Sequence, residues 1–251
     1  MFVLIPAVWL GAGWKWGLRL FYILFLNSLT NRALKEIFLS PRPFHIDSSV
    51  GIIEVAGYGF PSGAAQTVIL LSGILLNFWK SYWKWAVVFF YIVFISFSRV
   101  YLGLHFPTDI LAGWMVGFIL WALFTYVRPA LEAQLEKLKP LSLFLLSQLI
   151  PILLFSWQYP AVVRICAFAM GLGMGLFLNY SCGWSIDLPK TRRELLLRVI
   201  IGIVGTFLCY FLVSLLPLPD SPFVIFCKFL FLSLWITTGS LFLCRKLSCI
   251  Y

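Results

Sequence analysis

Charge is scarce in this chain. Asp, Glu, Lys and Arg together make up 11% of its 251 residues, and 62% are hydrophobic. A soluble globular domain is about half apolar and about a quarter charged. One core cannot hide this excess, so a water-soluble enzyme is excluded. Disorder is excluded as well, since it requires low hydrophobicity and high charge. Acids are few, 9 against 19 basic residues, and histidines number two, His45 and His105. The six cysteines, at 166, 182, 209, 227, 244 and 249, contain no Cys-x-x-Cys pair. They read as small hydrophobes, not as disulfides or metal ligands. The N-terminus lacks a basic n-region, so no cleaved signal peptide is expected.

What is present is apolar length. Runs fall near residues 2–13, 17–38, 61–79, 85–104, 106–127, 141–157, 160–179, 196–216 and 221–243. A membrane span takes about 20 apolar residues, so the length allows at most about nine. These runs are continuously apolar, which excludes the alternating strands of a lipid-facing barrel. The expected fold is an all-α polytopic membrane bundle with about nine hydrophobic segments. Breaks between runs fall at Gly13–Gly17, at Lys80–Lys84 and at the Pro-rich stretch 217–222. Pro129–Lys139 is polar with Leu131, Leu135 and Leu138 at helical spacing. It reads as a short helix on the membrane surface, with a solvated loop as the alternative.

The net charge of +10 is scattered over short loops and forms no basic stripe, so no nucleic-acid partner is expected. It reads instead as an orientation signal. If the runs alternate, one side holds thirteen basic residues, among them Lys15, Lys80, Arg128, Arg192 and Lys246. The other side holds Arg32, Lys35, Arg42, Arg99 and Arg164. The positive-inside rule makes the first side cytoplasmic. Residues 39–60 and 99–106 then face the periplasm or a lumen. Met1 falls outside too, before a first run short for a span; either an inbound helix is missing or this run is a half-span.

Lys35, Arg42 and Arg99 cluster on that outer face with His105 and Asp109. Any one cation there reads as a snorkelling side chain. A group of them with an imidazole and a carboxylate is a candidate site. In Lys35-x6-Arg42-Pro43, the arginine offers a planar fork and the lysine a point charge, a pair able to close on one dianion. In Pro61-Ser62-Gly63-Ala64 a helix begins. The amides of Ser62 and Gly63 have no intrahelical partner there and are expected to face an anion. In Ser98-Arg99-x5-His105-x3-Asp109, the carboxylate can reach one ring nitrogen and leave the other as a nucleophile.

These three motifs, in this order, resemble those of the type-2 phosphatidic acid phosphatase (PAP2) superfamily. The four specified positions of the third motif alone arise by chance about once in a hundred thousand starts. The resemblance covers about residues 14–127. It implies a catalytic core over 1–127, a cytoplasmic linker over 128–140, and membrane helices of unassigned role over 141–251. It implies that His105 attacks phosphorus and that Asp109 orients it. Lys35, Arg42, Ser62, Gly63 and Arg99 would bind the phosphate. No metal and no other cofactor is expected; the implied partners are membrane lipids and a lipid phosphate substrate. The oligomeric state stays open.

One position departs from the family pattern. The second motif usually reads Pro-Ser-Gly-His, and that histidine protonates the leaving oxygen; here the residue is Ala64. Three explanations stand: a substitution made to stop turnover, a natural weakening or loss, or another proton donor, for which His45 is the remaining histidine. The resulting expectation is an integral membrane hydrolase of lipid phosphate or diphosphate monoesters, placed in a bacterial inner membrane and facing the periplasm or a lumen. A pseudophosphatase that binds lipid phosphates is the alternative. A sugar-phosphate phosphatase or a transporter ranks below both.

Overall fold

The computed structural model describes residues 3–246 apart from 79, 157–158, 185–187, 216, 218 and 220. Among the described residues every regular element is helical. The chain divides into two compact units, one of residues 23–134 and one of residues 1–22 with 135–251.

In the first unit, α2 (Trp14–Phe38) enters from its Ile23 end. It is followed by the single turn α3 (Pro43–Ile46), α4 (Gly63–Phe78), α5 (Lys84–Tyr101), α6 (Pro107–Ala122) and α7 (Arg128–Leu135). The prolines at 43 and 107 each occupy a first helical turn, where a missing N–H costs nothing. A π-helical turn at Leu123–Val127 joins α6 to α7, giving one continuous helix from Pro107 to Leu135. The polar segment after 128 is therefore helical as far as Leu135. It continues the preceding span instead of starting a separate element.

The packing of α4 on α6 sets the frame of the site. Gly113 and Gly117 lie four apart on α6. A Cβ on either would come within 2.6 Å of Ser62 O or 2.3 Å of Gln66 O. Only glycine lets the two backbones approach this closely, as in membrane helix pairs built on small residues. Further along, Trp121 lies over Gly73. Trp114 Nε1 donates to Ser96 Oγ at 3.0 Å and ties α5 to α6.

The second unit contains α1 (Leu4–Gly11), the start of α2, α8 (Pro140–Phe155), α9 (Pro160–Ser181), α10 (Arg192–Ser214), α11 (Pro222–Leu234) and α12 (Ser240–Lys246). A second π-helical turn, Trp235–Gly239, joins the last two. The eight residues of α1 rise about 12 Å, less than half of a roughly 30 Å hydrocarbon core. This helix packs on α10, with Leu10 against Gly202. Buried amides cross-link the interior: Asn179 Nδ2 donates to Thr237 O at 2.9 Å. Cys166 and Cys244 are buried; Cys249 lies outside the described residues, as does part of the 217–222 break.

Among the described residues five helices are long and apolar enough to cross a membrane: 84–101, 107–135, 160–181, 192–214 and 222–246. Gly63–Phe78 and Pro140–Leu154 are shorter apolar helices. The architecture is that of a polytopic helical membrane protein.

Candidate active site

The end of α2 and the starts of α4 and α6 meet at one end of the first unit. The Ser62 amide donates to Asp109 O at 3.0 Å, which joins the beginnings of α4 and α6 directly. Asp109 is the third residue of α6, after Pro107 at its first position. Its Oδ2 accepts the Phe106 N–H at 3.0 Å, satisfying one of the amides a helix start leaves open. The same oxygen lies 3.3 Å from His105 Nδ1.

His105 is therefore held from two sides. Asp109 Oδ2 stands at Nδ1, and Arg42 Nη1 stands 3.4 Å from Nε2. A guanidinium can only donate, and a carboxylate can only accept. The two neighbours together select the tautomer with hydrogen on Nδ1 and a lone pair on Nε2. His105, Arg42 and Asp109 are 6%, 5% and 3% exposed, so this trio is almost out of water. Burial pushes the His105 imidazole below the ordinary histidine range. The hydrogen bond with Asp109 opposes that shift, and the positive charges of Arg42 and Lys35 reinforce it. A neutral imidazole beside two cations can attack an electrophile that carries negative charge.

Arg42 is positioned by backbone carbonyls. Its Nε donates to Gly57 O at 2.8 Å and its Nη1 to Leu104 O at 3.1 Å. Lys35, in the last turn of α2, donates to Tyr58 O at 2.5 Å and Gly59 O at 3.0 Å. Each cation is thus braced by the 57–59 segment. Nη2 of the arginine and one ammonium N–H of the lysine have no bond among the described residues.

The other expected contributors behave differently. Arg99, half-buried near the end of α5, donates through Nε to the neighbouring Ser98 Oγ at 3.3 Å. Its carbonyl accepts the Leu104 N–H at 3.1 Å, one residue before the imidazole. The Ser62 amide faces Asp109 O, not open space; a tertiary acceptor has taken the donor that helix geometry alone leaves unpaired. Ser62 is fully buried, and its Oγ caps the Ala65 N–H at 3.5 Å. At Gly63 a Cβ would sit 2.9 Å from Asn31 Oδ1, so here glycine makes room for an asparagine. His45 is exposed, and its Nδ1 accepts the Arg42 N–H at 3.2 Å. Among the described residues no three His, Cys, Asp or Glu side chains group closely enough to share a metal ion.

A part-buried line of amides joins α2 to α4 beside this site and lies outside the three motifs. Asn31 Nδ2 donates to Pro61 O at 3.2 Å and to Gln66 Oε1 at 2.9 Å. Gln66 Nε2 donates to Asn27 O at 3.0 Å, and Asn27 Nδ2 to Thr67 Oγ1 at 2.9 Å. The available signal was an Asn pair four apart inside an apolar run, with Gln66 in the next.

Residues 16–132 match the PAP2 superfamily, and residues 163–249 match the PAP2 superfamily phosphatase transmembrane extension. An undecaprenyl-diphosphatase of Sulfolobus acidocaldarius is 27% identical over 127 residues, 50% of this chain and 60% of the relative. A lipid A 4'-phosphatase of Bacteroides thetaiotaomicron is 26% identical over 125 residues, 47% of this chain and 56% of the relative. Phosphatidylglycerophosphatase B of Bacillus subtilis is 28% identical over 116 residues, 43% and 55% of the respective lengths. The chain thus spans a little over half the length of these relatives. No solved structure matches it. Residues 16–132 carry the buried His105–Asp109–Arg42 trio, and the extension begins at Val163; the chain is an integral multi-pass membrane protein of the PAP2 superfamily.

Proposed function

We propose that this protein is a membrane phosphatase that hydrolyses a lipid phosphate or diphosphate monoester through a phosphohistidine. The observation that carries the reading is the imidazole of His105 fixed between Asp109 Oδ2 and Arg42 Nη1. In the first step Nε2 attacks phosphorus, an N–P bond forms and the bond to the leaving oxygen breaks. Asp109 stabilises the imidazolium character that develops. Lys35 and Arg42, with Arg99 and the Gly63 amide, offset negative charge on the phosphoryl oxygens. Water then attacks phosphorus, the N–P bond breaks, and phosphate leaves a neutral imidazole behind. The three relatives act on lipid phosphates, which supports a lipid substrate. The charge asymmetry of the loops supports a site on the periplasmic or luminal face, and the bacterial relatives support an inner-membrane location.

Ala64 stands where the family pattern has a histidine that protonates the leaving oxygen. Losing a general acid costs about 10²–10⁴-fold. A phosphate leaving group, as in a lipid diphosphate, needs less protonation than an alkoxide. The unmodified chain therefore favours diphosphates.

Ala64 also favours a second reading, in which the site binds lipid phosphates without turnover. Phosphate release by the purified protein from a lipid monophosphate and a lipid diphosphate separates the two. The phosphatase reading expects slow release that His105→Ala abolishes, with an acid-labile phosphoenzyme trapped from labelled diphosphate. Release that survives His105→Ala refutes the phosphohistidine route. No release from any substrate, before and after Ala64→His, leaves the binding reading.

A further inference from the structure

Two amide side chains in apolar helices of the first unit, Asn31 and Gln66, are bonded end to end, and Gln66 Nε2 reaches on to the backbone carbonyl of Asn27; the line stops at the second motif. Asn27, Asn31 and Lys35 succeed one another at four-residue spacing on α2, so they share one face of that helix. On α4 the partners are Gln66 and Thr67. Gln66 is fully buried and Asn27 is 4% exposed. An amide withdrawn from water inside a membrane bundle is costly unless paired, and such residues mark functional positions. This line retains its amides although Asn27 Oδ1 is buried without a partner among the described residues.

The members do different work. Asn27 reaches Thr67 Oγ1, which in turn donates to Gly63 O at 2.8 Å. Asn31 makes the direct bond to the motif backbone, at Pro61 O, and is itself held by Gln66 Oε1. Its Oδ1 occupies the space a side chain at position 63 would need. One turn further along α2, Lys35 grips Tyr58 O and Gly59 O. The two residues thus hold the backbone on either side of Phe60, at 58–59 and at 61.

We infer that Asn31 is a positioning residue that sets the Pro61–Gly63 backbone in register with Lys35, with Gln66 as its anchor. Asn27 serves mainly to join the helices. The inference rests on the reading of this site as a phosphate site. Its experiment uses the full chain in detergent, with orthovanadate as the ligand and amide hydrogen exchange of residues 62–67 as a readout independent of the ligand.

Asn31→Leu and Asn27→Leu are near-isosteric and remove one amide each. Asn31→Leu is expected to weaken vanadate binding at least tenfold and to speed exchange at 62–64. Asn27→Leu is expected to change vanadate affinity less than twofold while lowering the unfolding temperature to a similar extent. Equal vanadate affinities for the two variants, or unchanged exchange at 62–64 in Asn31→Leu, overturn the assignment. Wild-type protein that binds no vanadate refutes the phosphate site instead, and exchange alone then decides whether Asn31 orders the segment. Should Asn31→Leu fail to fold, Gln66→Met, which keeps Asn31 but removes its anchor together with the bond to Asn27 O, is expected to give the same vanadate loss; its absence overturns the proposal.

Discussion

Arg42 Nη1 lies 3.4 Å from His105 Nε2 and also donates to the carbonyl of Leu104, the residue before that histidine. One nitrogen thus addresses both the backbone that carries the imidazole and the imidazole itself. Arg42→Lys keeps the charge but removes the fork. It cannot hold Gly57 O and Leu104 O together while facing Nε2. We expect turnover of a lipid diphosphate to fall by about 10²-fold or more, the loss typical of one donor at a developing oxyanion. A kcat/KM within threefold of wild type contradicts this role.

Burial holds His105 below the ordinary histidine value. The native imidazole stays neutral down to a pH below about 6.5, and the nucleophile is lost only as pH falls through the depressed value. In that window the unfolded chain binds a proton the native state refuses, so stability also declines as pH falls below about 6.5. His45→Gln leaves His105 as the sole histidine. Titration of its ring nitrogens by ¹⁵N NMR is expected to show a midpoint below 6.5; a midpoint of 7 or more contradicts the burial argument.

Placing a histidine at position 64 is expected to act unequally on two substrates. Ala64→His raises hydrolysis of a lipid monophosphate by about 10²–10⁴-fold, the range of a general acid. It raises hydrolysis of the corresponding diphosphate by less, because that leaving group needs less help. Parallel phosphate-release assays check the ratio, and an equal gain on both contradicts the leaving-group account.

Leu39, between Lys35 and Arg42, has φ of +50°, and its amide donates to Lys35 O at 3.0 Å in closing α2. A left-handed conformation costs a non-glycine residue about 1–2 kcal/mol. The side chain is 51% exposed, so little burial is lost on removing it. Leu39→Gly is expected to stabilise the protein by about 1 kcal/mol, read as a higher unfolding midpoint in detergent. A lower midpoint means that the leucine contributes contacts outweighing the strain.

The helical, multi-pass architecture was legible because lipid imposes long uninterrupted apolar runs. Lys35, Arg42, His105 and Asp109 were legible because chemistry fixes residue type and spacing together. Long-range packing was not. That α1 lies against α10 comes from the shapes of two apolar surfaces, and no motif encodes it. The spacing Gly113-x3-Gly117 was a signal for close helix approach that the motif reading passed over. The Ser62 amide shows a different limit: a helix start predicts an unpaired donor, but which acceptor claims it depends on a residue 47 positions away.

The bond from Ser62 to Asp109, together with the contacts of Gly113 and Gly117, makes the second and third motifs one mechanical block. Two backbones without intervening side chains have no slack through which to part. Any displacement of one motif therefore carries the other with it, and the stretch from 39 to 59 is tied back to that block by Arg42 Nη1 to Leu104 O and by the Ile52 N–H to Leu102 O.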